Sequence, residues 1–167
     1  MGIASVTMAV KNLLDGLAMP GGLPGLNCYI NAPDPNVETT IPTAYVWPTA
    51  FDTSRDTLPR NLGPYSTAGA GFKAKQHAID VFIIWMDGGT EDDSDTIFPG
   101  IVDAAVAALE TCTMPALITD PYTGVVTELV NLGEVIRGRI VASALDDQRF
   151  LRYDALLQLP AQETYND

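Results

Sequence analysis

The chain has 167 residues, enough to bury a hydrophobic core without disulfides or a structural metal. Apolar residues make up 47% and charged residues 18%, which excludes an intrinsically disordered chain, since such chains are poorer in apolar and richer in charged residues. The formal net charge is -12, from 21 acidic and 9 basic residues, and this acidic excess argues against nonspecific binding to DNA or to an anionic membrane surface.

The N-terminal part is predicted to form one helix and two short strands. Apolar residues recur at steps of three and four over Ile3–Ala18, which is the spacing of one helical stripe. Pro20 and the two glycines that follow it are expected to end this helix. Strands are predicted over Leu26–Ile30 and Ile41–Trp47, with a turn around Asp34 between them.

No helical or strand period is sustained over residues 48–74, which are rich in Pro, Gly, Ser and Thr. Loops of this length in compact domains are commonly functional or disordered. We interpret the segment either as an arm that orders against a neighbouring subunit or as an unstructured surface loop. Aromatic residues in or beside it are candidate subunit-interface residues, with core packing as the alternative: Trp47, Phe51, Tyr65 and Phe72.

The strongest strand signal covers Lys75–Met86, where apolar side chains fill both faces, as is typical of a central strand. An acidic turn over Asp87–Asp95 follows it. A helical stripe then runs over Ile97–Cys112. Pro99 is compatible with this helix if it lies within the first turn, where the N–H that proline lacks would have no partner.

Three more strands are predicted over Val125–Leu132, Glu134–Ser143 and Arg149–Leu159. The order of elements predicts an α+β fold, with a mainly antiparallel (mixed) sheet and two helices packed on one face, because each helix has one apolar stripe to bury. We expect a single domain over residues 1–160, which contains the loop at 48–74, and a flexible polar tail over residues 161–167.

The candidate chemical sites all have a stronger structural explanation, so we expect no enzyme activity, no catalytic residues, no cofactor and no bound metal. The acidic turn lacks EF-hand spacing, and acids there stabilise the positive end of the following helix. Gly69–Gly71 precedes a strand and lacks the third glycine of a dinucleotide-binding loop. His77, the only histidine, has no nucleophile motif to serve and is expected at a strand entrance. Cys28 and Cys112 are expected to be buried thiols. Arginines near the last hairpin are expected to form salt bridges: Arg137, Arg139, Arg149 and Arg152.

Three stretches of the chain, taken with the order of its elements, point to a known family. They are HAIDVFIIWM at His77–Met86, FPGIVDAAVAALE at Phe98–Glu110, and DDQRFLRYDALLQL at Asp146–Leu159. Together they resemble the tail terminator proteins of long-tailed (siphovirus-type) bacteriophages, and the resemblance extends from the first helix to about Pro160. It implies a small α+β subunit that assembles into a ring, usually a hexamer, with no catalytic residues to carry over.

The resemblance also implies a place in the virion and a set of partners. Such a ring lies on the head-proximal end of the tail tube, in the neck region, where it stops tube polymerisation and joins the tail to the head connector. Its partners are other copies of itself, the tail tube protein and a head-completion or connector protein, and DNA passes through the lumen without specific binding. The alternatives are another neck component, such as a head-closure or joining protein, and a small enzyme or ligand-binding domain.

The chain lacks the basic start and cleavage pattern of a secretory signal, and no apolar run reaches membrane-spanning length. Assembly in the host cytoplasm, without a membrane, is therefore expected. A head-to-tail ring needs two different, complementary patches on each subunit, and the long loop and a sheet edge could supply them. Strand addition across subunits is one hypothesis for ring closure.

Overall fold

The computed structural model describes residues 3–34, 36–52, 72–87, 94–110, 116–119, 126–130, 137–144 and 151–166. The helices are α1 (Ile3–Leu14) and α2 (Ser94–Glu110), and a short 3-10 turn covers Pro20–Gly22. The strands are β1 (Asn27–Tyr29), β2 (Thr43–Asp52), β3 (Phe72–Met86), β4 (Ala116–Thr119), β5 (Val126–Val130), β6 (Arg137–Ala144) and β7 (Leu151–Asn166).

These strands form one sheet around the central pair β3 and β7. The order is β1-β2-β3-β7-β5-β4, and β6 also pairs with β7. β1 lies parallel to β2, and the other pairings among the described strands are antiparallel. Along one side of β7, β6 lies opposite residues 151–158 and β5 lies opposite residues 162–164. The prediction of a mixed, mainly antiparallel sheet is confirmed.

Both helices pack on the same face of the sheet. The buried core joins apolar residues of α1 and α2 to alternate residues of the strands, which point to one face because the side-chain period of a strand is two. We call this side the helix face and the opposite side the outer face. The core members on β3 and β7 are Ile79, Val81, Ile83, Trp85, Tyr153, Ala155, Leu157 and Leu159. The predicted α+β arrangement, with two helices on one face, is therefore confirmed.

An aromatic stack fixes the start of α2 to this core. The ring of Phe98 lies 6.5 Å from that of Trp85 and 5.2 Å from that of Tyr153, measured between ring centroids. The Tyr153 hydroxyl donates a hydrogen bond of 2.6 Å to the Asp95 carboxylate, and it lies 3.1 Å from the Ser94 hydroxyl. The polar end of the tyrosine is thus satisfied by the first turn of the helix, while its ring contributes to the core.

Both helices begin or end earlier than the periodicity predicts. α1 ends at Leu14 rather than near Ala18, because Gly16 adopts a φ of 77°, the left-handed conformation that commonly follows a helix. α2 begins at Ser94, so Pro99 lies in its second turn and the prediction of a first-turn proline is wrong. The prediction failed because the polar residues at the start of α2 add nothing to the apolar stripe.

The strands extend further than predicted into the polar stretches. β2 continues to Asp52 with a register shift between Pro48 and Ala50, and β3 begins at Phe72, so both ends of the stretch predicted as a loop over 48–74 belong to strands. β7 runs to Asn166, which places residues 161–166, predicted as a tail, opposite β3. β4 was not predicted at all.

Candidate subunit interface

The structure describes three of the four aromatic residues that the sequence singled out. Trp47 lies on β2 with 43% of its surface exposed. Phe51 belongs to β2 opposite His77, and Phe72 begins β3 opposite Asn166. Trp47 lies opposite Asp80, and the eight residue steps from Phe72 to Asp80 correspond to roughly 26 Å along the strand, so Phe72 is not a neighbour of Trp47. Tyr65 lies outside the described residues, and the interface role of all four remains a prediction.

The exposed large apolar side chains of the described residues occur in two places only. Tyr29 lies on β1, Ile41 just before β2 and Trp47 on β2, with exposed fractions of 48%, 39% and 43%. Ile140 and Val141 lie on β6, with exposed fractions of 49% and 47%. We call the first group, together with the exposed Asp34 and Glu38 between β1 and β2, the β2 rim. The second group, together with Arg137 and Arg139, is the β6 rim. Scattered single exposures need no explanation, but grouping at two ends of a sheet is typical of contact surfaces.

The two rims lie at opposite lateral ends of the sheet. β1 and β6 are separated by β2, β3 and β7, so that four strand spacings of about 4.8 Å place them roughly 19 Å apart. The register connects the rims across the outer face in two rows, which are Tyr45, Phe82, Leu156, Arg139 and Trp47, Asp80, Gln158, Arg137. Tyr29 lies opposite Tyr45 and extends the first row to β1. Both rims therefore present side chains on the outer face.

Aromatic rings and acidic side chains make up the β2 rim. The rings of Tyr29 and Tyr45 stack with centroids 6.0 Å apart. Burial, followed by the negative charge of Asp34, raises the pKa of the Tyr45 phenol. Asp34 also accepts a hydrogen bond of 2.9 Å from the backbone N–H of Asn36, which fixes its turn. Glu38 is exposed in the same segment, between β1 and β2.

Asp80 extends the acidic character of the β2 rim along the second row. Burial raises the pKa of its carboxyl, although the hydrogen bond from Thr49 acts in the opposite direction. The Thr49 hydroxyl also donates to the Ala78 carbonyl at 3.1 Å, so it bridges β2 and β3 beside the register shift. A partly buried carboxylate thus lies opposite Trp47 in the ladder.

The β6 rim is basic and aliphatic. Residues 137–143 are all exposed, and they include Arg137 and Arg139. Gly138 allows β6 to lie close to β7, because a Cβ at this position would be 2.8 Å from Leu157 Cδ2 and 2.9 Å from the Leu156 carbonyl oxygen. The chain has 9 basic residues in total, so two of them on one strand concentrate positive charge on a strongly acidic protein.

The two lateral edges differ in their backbone groups. At β1, the N–H of Cys28 donates to the Asp15 carboxylate at 3.2 Å. Beside it, Gly16 N–H donates to the Leu26 carbonyl and Leu26 N–H donates to the Leu17 carbonyl. The Lys11 hydrogen bond and that of Cys28 lower the pKa of Asp15, which keeps this acceptor charged. β6, in contrast, pairs with β7 alone among the described strands. The edge of β1 is therefore occupied at Leu26 and Cys28, although β1 covers only Thr43–Tyr45 of β2, whereas β6 has no second partner among the described strands.

Two described residues whose side chains could take part in catalysis or metal binding, His77 and Cys28, are buried in the fold. His77 is buried on the helix face inside β3, which begins at Phe72, so its predicted place at the strand entrance is wrong. Burial raises the pKa of the Cys28 thiol to about 12, so the thiolate needed for nucleophilic or metal chemistry is disfavoured. Within the described part of the chain, no group of three His, Cys, Asp or Glu residues could hold a metal, and no helix is long and apolar enough to span a membrane.

The predicted arginine cluster is divided by the structure. Arg152 is buried and donates to the Asp154 carboxylate at 3.0 Å, as expected for a salt bridge. Arg137 and Arg139 are exposed on the β6 rim instead. Arg149 lies outside the described residues. Only part of the cluster therefore serves the ionic role that the sequence suggested.

Comparisons with known proteins add a distant likeness among solved structures. No family model matches the chain, and no curated protein was found to be similar. Among solved structures, the chain is similar to the sheath/tube terminator, in its extended state, of the extracellular contractile injection system PVC, with a TM-score of 0.39 and 10% sequence identity. The alignment covers 100% of this chain and 58% of that chain, so this chain spans little more than half the length of that protein.

Proposed function

We propose that this protein is a structural subunit of a virion tail, which assembles head-to-tail into a ring at the head-proximal end of the tail tube. The ring ends tube polymerisation and provides the surface that joins the head connector. The observation that carries the proposal is the grouping of the five exposed large apolar side chains of the described residues into two unlike rims at opposite ends of one sheet.

Two unlike rims favour a head-to-tail assembly over a symmetric dimer. In a twofold dimer the same patch meets itself, whereas head-to-tail contacts join two different patches and generate a closed ring or an open filament. The β2 rim combines aromatic rings with Asp34 and Glu38, and the β6 rim combines aliphatic side chains with two arginines. Opposite charges on the two rims support mutual recognition, and the two arginines of one β6 rim would repel those of another.

The position in a phage tail is supported by the resemblance of three sequence stretches to tail terminators. Two of these stretches coincide with β3 and α2, and the third ends in β7, so they make up the centre of the fold. The net charge of -12 also suits a subunit that lines a passage for DNA, because a negative wall does not retain phosphates. The described residues offer no competing chemical site of comparable strength.

Negative-stain microscopy of the purified protein tests this proposal, with the protein alone, with purified tail tubes and with DNA-filled heads. We expect rings at one end of the tubes and an end to further tube growth when tube protein is added. Binding to filled heads without any binding to tubes would instead indicate a head-closure protein. A chain that stays monomeric and ignores tubes and heads would overturn the proposed function.

A further inference from the structure

We infer, on the basis of the ring proposed above, that the subunit contact is formed by the β6 rim of one copy against the β2 rim of the next. Arg139 and Arg137 then face the aromatic rings of Tyr29 and Trp47 and the carboxylate of Asp34. The occupant of each rim is thus a second copy of this chain.

The register places the relevant side chains on one surface of the sheet. Arg139 shares a row with Tyr45, which stacks on Tyr29, and Arg137 shares a row with Trp47. Val141 lies two residues from Arg139 and therefore also faces outward on this side. When two sheets are set side by side with their outer faces in the same sense, the β6 residues of this surface meet the β2 rim directly.

The chemistry of the two rims is complementary in two ways. An arginine guanidinium stacks favourably on the face of a tryptophan or tyrosine ring, and it also forms strong hydrogen bonds with a carboxylate. The β2 rim offers both, since Trp47 and Tyr29 are about half exposed and the exposed Asp34 lies in the segment between β1 and β2. The exposed aliphatic side chain of Val141 adds apolar area to the same contact.

The capped edge at β1 determines which groups make the contact. The N–H of Cys28 is already bonded to Asp15, and the backbone of Gly16 and Leu17 is bonded to Leu26. A neighbouring strand cannot pair with β1 at these positions without breaking these bonds. β1 covers only Thr43–Tyr45 of β2, and at the β1 end the proposed recognition is carried by side chains of the two rims.

A charge exchange tests the pairing. We expect Arg139→Glu and Asp34→Arg each to lower the association constant of the full chain at least tenfold, as measured by sedimentation equilibrium. The double variant, Arg139→Glu with Asp34→Arg, carries the exchanged charges on every copy and is expected to recover most of the wild-type association. Because both side chains are exposed, circular dichroism and melting should show that all variants remain folded.

Two matched variants control for general effects of charge. Asp103→Arg makes the same change of charge as Asp34→Arg at an exposed site on α2, and it should leave association unchanged. Arg139→Lys keeps the charge but loses the planar stacking group, so it should weaken association less than Arg139→Glu. If rings form only on tail tubes, the same series is measured as the fraction of tubes that carry a ring.

The outcomes separate the contact from the function. Rings that form equally well with Arg139→Glu and Asp34→Arg would overturn the proposed contact and leave the ring standing. Single variants that fail to associate, without recovery in the double variant, would also overturn the pairing of these two residues. A wild-type chain that stays monomeric both alone and with tail tubes would overturn the ring and the contact together.

Discussion

The edge strands β1 and β6, at the two lateral ends of the sheet, differ in how their backbone groups are protected. At the β1 end, the Asp15 carboxylate accepts from the Cys28 N–H and the backbone after α1 bonds to the N–H and the carbonyl of Leu26, so β1 is occupied at these positions. At the β6 end, the strand has one partner, β7, among the described strands, and its side chains are exposed on both faces. Natural sheets usually protect both edges, because an open one invites pairing with another chain.

This difference indicates that the β6 end is kept open for a partner. Arg137 and Arg139 protect it against unspecific pairing, since charged side chains on an edge strand oppose aggregation. The same arginines are complementary to the acidic and aromatic β2 rim. In the proposed ring, the β6 end would be covered by the next copy.

The largest expected effect comes from disturbing the β6 end at Gly138. We expect Gly138→Val to lower the free energy of unfolding by about 1–3 kcal/mol, because overpacking in a close contact typically costs this much. The added Cβ would be 2.8 Å from Leu157 Cδ2 and 2.9 Å from a backbone oxygen, so β6 must move away from β7. Chemical denaturation measures the stability, and sedimentation measures the loss of association that follows the displacement of the rim.

Ala142→Val is the matched control for this change. Ala142 lies on the same strand and the same face as Gly138 and is also exposed, but it already carries a Cβ, so the stability of the variant should change by less than about 0.5 kcal/mol. Equal destabilisation by both variants would mean that β6 tolerates no added side-chain volume, and that the close approach at Gly138 is not the cause.

The contrast between core and rims also explains what the sequence could reveal. The strand of β3 and the stripe of α2 were predictable, because Ile79, Val81 and Ile83 alternate while Phe98 and Ile101 follow a helical period. Core burial imposes these periods on the sequence. The assignment of the fold class and of one helix-covered face followed from them.

The rest depends on pairing between distant residues, which leaves little local signal. Residues 161–166 carry no regular apolar alternation, yet β3 holds them in β7 by backbone pairing. The four residues of β4 are too few to show a period. The parallel match of Asn27 with Thr43 is set by the path of the intervening segment rather than by a tight turn. Local residue patterns cannot specify such registers.

Of the candidate interface, Trp47 could be named from the sequence and the β6 rim could not. A usable signal was present, because Ile140 and Val141 are adjacent in a predicted strand and must point to opposite faces. In a sheet that helices cover on one face only, one of two such neighbours must lie on the uncovered outer face. Exposure of both, however, follows from the edge position of β6, which only the topology shows.

A smaller effect on stability is expected from Tyr153, which lies next to β6 in the sheet. Tyr153 lies opposite Ala142 of β6 and bonds to Asp95 at the start of α2. We expect Tyr153→Phe to reduce the free energy of unfolding by about 1 kcal/mol, the usual contribution of one hydrogen bond, as measured by urea denaturation. Tyr29→Phe removes a hydroxyl from an exposed tyrosine and should have no effect on stability. An equal loss in both variants would contradict a supporting role of the Tyr153 hydroxyl.

The pH dependence of the Tyr153 contribution has a defined sign. Burial, followed by the hydrogen bond with Asp95, raises the pKa of this phenol. Its contribution is therefore complete below the ordinary tyrosine pKa of about 10, and it is lost as the pH rises through the folded-state value. The stability difference between wild type and Tyr153→Phe should shrink in denaturation experiments at alkaline pH.

At the β1 end, removing the charge of Asp15 should have a smaller effect on stability, because this carboxylate is exposed to solvent. Hydrogen bonds from Lys11 and from the Cys28 backbone lower its pKa, so its contribution is present above the ordinary aspartate pKa of about 3.9 and is lost as the pH falls through the folded-state value. Asp15→Asn should destabilise the protein slightly at neutral pH, and the difference from wild type should vanish in strong acid. Asp103→Asn, at a second exposed site, should leave the stability at neutral pH unchanged.

The finest distinction lies within the β6 rim, between two neighbours of nearly equal exposure. Val141 faces outward with Arg139, whereas Ile140 faces the helix side. If the outer-face surfaces of the two rims meet, Val141→Ser should remove about 1 kcal/mol of apolar contact, or roughly fivefold in association, and Ile140→Ser should remove less. Both variants should melt as wild type does, because neither side chain is buried in the subunit. A larger loss of association with Ile140→Ser would instead place the neighbouring copy on the helix side of β6.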